Sequence, residues 1–303
     1  MYITDSSKRT YADHQGQFVN YCAAFDTDPF TASELELCLA VGYFAMGHTV
    51  TSVPSYLSAL QNLYDNNGAG PLPRGPRFHR FHSGLKRLLG TADAVVRTRA
   101  ITMEDLARIC GSLDPADPVD ACFGAQITVA FFLALRTEDH TGGRLRWGDV
   151  YPQDDGSLEF LIPPGKSVRT FRHVAIAHRE DVVSPRRWLT ALAAALPRSA
   201  KELHRPIFVD LATARNGAAV FLPLSRGKFI ARFKLAVSTV LGVSPILFAG
   251  YSLRRGGVTA MLAAGVPVPA VKRHVGWAPT SEAVNTYYDH TGRVVMRLPT
   301  SML

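Results

Sequence analysis

The sequence predicts a mainly α-helical protein with a small antiparallel β-sheet. It divides into a helical N-terminal domain over residues 1–95 and an α+β domain over residues 96–303. Three observations carry this expectation. The chain has 303 residues, a length that suits two domains. Apolar residues recur near helical spacing over most of it, and the period drops to two only in three short stretches in the middle. Between the first helical block and the rest lies "GTADAVVRTRA", which reads as a linker.

The elements follow in order. "SKRTYADHQGQFVNYCAAF" has apolar groups at helical spacing. "TASELELCLAVGYFAMG" opens on Thr31 or Ser33 as an N-cap and closes on Gly47. "TSVPSYLSALQNLYDNNG" has Thr51 or Ser52 as a cap, Pro54 in its first turn and Asn67-Gly68 as a stop. After "AGPLPRGP" comes the basic helix "RFHRFHSGLKRLLG". The second domain opens at "TMEDLARIC", with Thr102 as cap and Glu104 and Asp105 in the first turn, where acids suit the helix dipole. "FGAQITVAFFLALRTED" is an apolar helix ending in charge. "RLRWGDVYPQ", "SLEFLIPP" and "FRHVAIAH" alternate like strands, joined at "DDG" and "GKSVRT". From "SPRRWLTALAAAL" onward the chain is mostly helical again, and "VTAMLAAGVP" reads as a buried helix.

Hydrophobic residues make up 47% and charged residues 19%, the balance of a globular protein with a real core. No run of 18 apolar residues occurs, and "MYITDSSKRTYADH" is polar from the start; a membrane-spanning or secreted protein is not expected. The four cysteines, Cys22, Cys38, Cys110 and Cys122, form no CxxC pair and no zinc pattern, which reads as reduced, buried thiols. The net charge of +8 is unevenly spread. Residues 1–97 carry 8 basic and 8 acidic groups, residues 98–180 carry 9 and 12, and residues 181–303 carry 16 and 5. A basic half beside a neutral one suits a polyanionic partner, although a merely soluble basic surface would look the same.

The stretch "AGYSLRRGG" poses a sharper problem. Arginine is among the residues least often buried, and then usually in a pair. Yet no Asp or Glu occurs from Ile246 to Ser281. The anion must be another part of the chain or a ligand. Other candidate residues are bland when taken singly. Arg136 in "FLALRTED" could pair with Glu138 or Asp139, and Lys166 in "PPGKSVRT" could be a turn lysine. Trp277 could be core, and Tyr287 and Tyr288 could be packing residues with wet hydroxyls.

Taken together, Arg136, Lys166, the Tyr-x-x-Arg of Tyr251 and Arg254, Trp277 and a tyrosine are more informative. In this order and context they resemble the tyrosine recombinase (phage integrase) family, of mobile-element type. "YSLRRGGVTAMLAAGVP" is similar to that family's His-x-x-Arg box, with Tyr251 in the His position, and "LALRTEDHTGGRLRWGDV" to its first-arginine box. The resemblance covers roughly residues 100–290, and more weakly extends to a helical core-binding domain over the first ninety.

The resemblance implies a DNA strand transferase. Tyr287 would attack a phosphodiester and form a 3′-phosphotyrosyl link, Arg136 and Arg254 would clamp the non-bridging oxygens, and Lys166 would protonate the leaving 5′-oxygen. Trp277 would donate its indole N–H to the phosphate. The chemistry is coherent. In-line displacement at phosphorus gathers negative charge on equatorial oxygens, planar guanidiniums suit two oxygens at once, and lysine can yield a proton where arginine cannot. A phenol of pKa about 10 needs activation near neutral pH. No cofactor or metal is expected, and the chain shows no carboxylate cluster suited to magnesium.

Two departures stand out: Tyr251 is a weaker base than the usual His, and Trp277 to Tyr287 is one residue longer than the commonest spacing, with Tyr288 adjoining. Arg74, Arg77, Arg80, Lys86, Arg87, Arg255, Lys272 and Arg273 are expected on DNA phosphates. The expected partners are duplex DNA and further copies of the chain, dimer to tetramer, with an intracellular, DNA-associated location and no membrane. A catalytically inactive DNA-binding descendant and a type IB topoisomerase are the alternatives. The tail "TGRVVMRLPTSML" is apolar enough to serve assembly or to dock on its own domain.

Overall fold

The computed structural model describes residues 5–90, 98–165, 170–211 and 221–285. Lys166, Tyr287, Tyr288, most of the linker and the tail lie outside the described residues. The chain forms two compact units, Met1–Val96 and Arg97–Leu303.

The first unit holds four helices: α1 (Asp5–Ala24), α2 (Glu34–Gly47), α3 (Val53–Asn66) and α4 (Pro76–Gly90). Ser33 caps α2. Its hydroxyl accepts from the Glu36 N–H at 3.3 Å while the Glu36 carboxylate accepts from the Ser33 N–H at 2.6 Å, which satisfies two end donors reciprocally. At α3 neither expected cap acts. A short 3₁₀ turn, Val50–Ser52, leads in, and Ser52 makes no side-chain cap bond. Phe18, Leu37, Val41, Phe44, Tyr56, Leu60 and Phe78 fill the core of this unit.

In the second unit, α5 (Met103–Gly111) starts on a capping box between Thr102 and Asp105. Helix α6 (Pro118–Phe132) is the hub. Every residue from Ala121 to Phe131 is buried, so α6 is enclosed all round rather than on one face. Strands β1 (Val150–Pro152), β2 (Leu158–Ile162) and β3 (Arg172–Ile176) form an antiparallel sheet in that order. β1 is short because Trp147–Asp149 turns as a 3₁₀ segment instead of extending. Helices α7 (Pro185–Ala195), α8 (Arg226–Ala236), α9 (Tyr251–Ala263) and α10 (Val268–Val275) complete the unit.

The burial of α9 runs opposite to the sequence expectation. Its polar-looking start, Ser252 to Val258, is buried apart from the half-buried Arg255, whereas the apolar run from Thr259 onward is half-buried to exposed. The cause is backbone proximity. A Cβ on Gly257 would lie 2.0 Å from the Phe131 carbonyl oxygen, and one on Gly256 would lie 2.0 Å from that of Ile101. Two glycines in succession let α9 touch the end of α6 on one side and the incoming segment at residue 101 on the other.

Candidate active site

The site is built around the C-terminal end of α6. There the chain reverses through Ala134, which has a left-handed φ of 46°. The Leu135 N–H donates to Ala130 O at 2.9 Å and the Ala134 N–H to Phe131 O at 3.0 Å, the paired bonds of a Schellman ending. Glycine is usual at such a position; the alanine methyl here is buried against Val258, Val271 and Val275. This ending sends the chain directly into Arg136.

Arg136 is half-buried at the start of a 3₁₀ turn, Thr137–Asp139. Its N–H donates to the Asp139 carboxylate at 3.1 Å. Glu138, one of the two acids expected beside Arg136, instead pairs with Arg226 at 2.9 Å. A Cβ on Gly250 would come within 2.1 Å of Thr137 Oγ1, so the entry to α9 lies against the Arg136 turn.

Arg254 is fully buried, one turn into α9. Nη1 donates to Ala134 O at 2.7 Å and Nη2 to Val275 O at 3.2 Å. Both acceptors lie at the C-terminal ends of helices, α6 and α10, where the dipoles carry partial negative charge. Its Cζ stands 5.4 Å from the centre of the Trp277 ring, within cation–π range. Trp277 is held there by a second Schellman ending: Gly276 takes φ 70°, and the Trp277 N–H donates to Lys272 O at 2.8 Å. Tyr251 precedes Arg254 by three residues on α9 and is 42% exposed.

Two further groups belong to this neighbourhood. His274 donates from Nε2 to Phe132 O at 2.8 Å. Burial pushes its pKa below the ordinary histidine range; that carbonyl opposes the shift, and Arg172 and Arg254 add to it. Arg172, at the start of β3, donates to His274 O. Burial lowers its pKa first, and Arg254 and Arg136 lower it further, while Asp139 favours the charged form. Neither residue sits in a motif that sequence reasoning singles out. The one available signal is a charged residue next to Phe171 at the start of an alternating strand.

The structure thus gathers Arg136, Arg254 and Trp277 round the ends of α6 and α10, with Tyr251 near the entry to α9. The Lys166 turn is approached from its described side: Arg144 donates to Pro164 O, and a Cβ on Gly165 would lie 3.4 Å from Asp139 Oδ1.

The other basic residues divide. Arg77, Arg80, Lys86 and Arg87 are exposed on α4, whose Phe78, Phe81, Leu85 and Leu89 face the core. Arg74, also exposed, donates to Gln61 at 3.2 Å. Arg255 donates to Thr98 O and so ties α9 to the segment that enters the unit. Lys272 donates to Pro279 O at 2.7 Å, and Arg273 is exposed. All four cysteines are buried and free. Among the described residues no group of three metal-ligating side chains occurs, and no helix is long and apolar enough to cross a membrane.

No family model and no curated protein matches the sequence. Solved structures do match. One is the XerH site-specific recombinase bound to a palindromic difH substrate in a post-cleavage complex, with 16% identity and a TM-score of 0.68, over 95% of this chain and 77% of that one. A lambda integrase dimer bound to a COC′ core site matches at 15% identity and 0.62, over 96% and 74%. The Tn1549 transposon integrase with circular intermediate DNA matches at 12% and 0.52, over 88% and 85%. The fold of this chain is that of the tyrosine recombinases, mostly helical with a small antiparallel sheet.

Proposed function

We propose that this chain is a site-specific DNA recombinase that cuts and rejoins strands through a 3′-phosphotyrosyl intermediate, in the service of a mobile element. The observation that carries the reading is the placement of Arg254 and the Arg136 turn at one helix end, in a fold shared with DNA-bound recombinases. In this reading the phenol of Tyr287 gives up its proton to solvent and its oxygen bonds to phosphorus as the bond to the 5′-oxygen breaks, while Lys166 supplies the proton that the leaving oxygen takes and is reprotonated from solvent. Arg136, Arg254 and the Trp277 indole N–H face the oxygens on which charge gathers. Residues 1–95 clamp the duplex through the basic face of α4, and several protomers assemble on DNA, as in the lambda integrase tetramer on a Holliday junction.

Two observations favour a second reading, a binding-only descendant. Tyr251 replaces the usual base, and Arg254 is wholly enclosed with Nη1 and Nη2 each donating to a carbonyl. Covalent capture separates the two. Genomic fragments that the protein retains would be nicked, end-labelled and incubated with it, then run under denaturing conditions. The recombinase reading expects a labelled protein–DNA adduct, lost in Tyr287→Phe and kept in Tyr288→Phe. Loss in Tyr288→Phe alone moves the nucleophile by one residue. No adduct on DNA that contains the target selects the binding-only reading.

A further inference from the structure

Strand β3 carries a charge on its core-facing side. The register pairs Leu158 with Ile176, Phe160 with Val174 and Ile162 with Arg172. Residues paired across a ladder share a face, and Leu158, Phe160, Ile162, Val174 and Ile176 are all buried. Arg172 therefore completes an inward row, while Phe171 beside it is 58% exposed. A slip of one residue would put the phenylalanine inside and the arginine in water, yet the ladder holds the costlier arrangement. A charge in such a place is destabilising unless it is paired.

The described partner of Arg172 is a carbonyl, His274 O. The next carbonyl along, Val275 O, accepts from Arg254. Two guanidiniums thus end on consecutive carbonyls of α10, whose Cα atoms are about 3.8 Å apart, and Arg136 acts on the same neighbourhood. Among the described residues, the charged groups that act on Arg172 are two further guanidiniums, Arg254 and Arg136, and one carboxylate, Asp139.

We infer that Arg172 is a third phosphate-binding guanidinium of the site, set on the sheet and turned inward so that it meets the same anion as Arg136 and Arg254. The inference rests on the proposed function for the identity of the anion, a phosphodiester in DNA. A diester carries one negative charge, and more gathers on its oxygens during in-line displacement. A third fixed cation gives most where that extra charge appears.

Inorganic phosphate is the probe, titrated against the full chain with thermal unfolding as the readout and chloride at matched ionic strength as the reference. Phosphate is expected to raise the unfolding temperature beyond the chloride control. Arg172→Gln should weaken phosphate binding by about tenfold or more, the effect of removing one charge-assisted hydrogen bond. Arg172→Lys keeps the charge without the fork and should recover part of the affinity. Arg179→Gln, which removes a nearby arginine already paired with Asp181, should change nothing.

Equal phosphate affinity in Arg172→Gln and the unmutated chain overturns the inference, as does an equal loss in Arg179→Gln or no phosphate response at all. If Arg172→Gln does not fold, Arg172→Lys carries the test, and undiminished affinity in it overturns the inference. Phosphate binding that depends on Arg172, with no covalent adduct on target DNA, supports the anion site and refutes strand transfer instead.

Discussion

Gly257→Ala tests the link between the packing of α9 and the placement of Arg254. In an exposed helix interior this change stabilises by up to about 1 kcal/mol, because alanine loses less backbone entropy on folding. Here the added Cβ would lie 2.0 Å from Phe131 O, against the 3.4 Å at which ordinary contact begins. The obstacle is the backbone of Phe131, which no rotamer change can move aside, so α9 has to retreat from α6 by roughly 1 Å or more. Arg254 sits three residues earlier on the same helix, and its bond to Ala134 O is 2.7 Å. A retreat of that size takes the bond beyond hydrogen-bonding distance.

Overpacking of this kind costs about 1–3 kcal/mol, and a broken bond to a buried charge about 1.5–3 kcal/mol. With the helix gain subtracted, a net loss of about 2–5 kcal/mol is expected. Urea unfolding followed by circular dichroism measures it. Gly227→Ala in α8, where a Cβ would meet nothing within 4 Å, is the control and should shift stability by less than about 1 kcal/mol. Covalent capture of DNA should fall about a hundredfold, since a misplacement near 1 Å can cost that much. A Gly257→Ala protein as stable as its parent would refute the reasoning outright.

Three further outcomes are expected. His140 is buried with neither ring nitrogen bonded among the described residues, and burial lowers its pKa to about 3. The unfolded chain takes up that proton below pH ~6.5 and the folded chain does not. Stability is therefore full above that pH and falls by up to about 1.4 kcal/mol per unit as pH drops toward 3. His140→Leu removes this effect, so its stability relative to the parent should rise between pH 7 and 5; parallel curves would refute the assignment. Affinity for duplex DNA should fall steeply with salt, and neutralising Arg77, Arg80 and Arg87 on α4 should flatten the slope by about 0.9 for each phosphate no longer neutralised; a flat response in the parent would count against phosphate binding. Deleting residues 291–303 should impair assembly on DNA more than binding by one protomer, as native electrophoresis would resolve; equal impairment of both would mean that the tail docks on its own domain.

Much of the fold is legible in the sequence because it depends on neighbours in the chain. Ser33 with Glu36 and Thr102 with Asp105 are local capping pairs, and the order of helices and strands follows the apolar period. What the sequence hides depends on residues far apart. Nothing near Arg172 reveals that Ile162 faces it across the sheet, and so its inward turn is invisible until the register is fixed. His274 looks like one more polar residue at a helix end, because Phe132, its acceptor, lies 142 positions away. The burial of α9 escapes the sequence for a related reason. Apolar content predicts that its second half is enclosed, but two glycines let backbone meet backbone in its first half.

The stretch "AGYSLRRGG" carries both the close-packed glycines and the buried guanidinium. With no acid from Ile246 to Ser281, a buried Arg254 calls for a distant carboxylate or a bound anion. The structure supplies a third kind of partner. Ala134 and Gly276 end two helices in left-handed turns, and those endings bring Ala134 O and Val275 O to the same guanidinium. Each helix end carries about half a negative charge, enough to orient the group and too little to neutralise it together with Arg172 beside it. A carboxylate in the same place would neutralise Arg254 and compete with any incoming anion. Carbonyls fix the guanidinium by partial charges spread over two helix ends, and so orient it before any anion arrives. The two glycines after Arg255 are what let α9 come close enough for that arrangement.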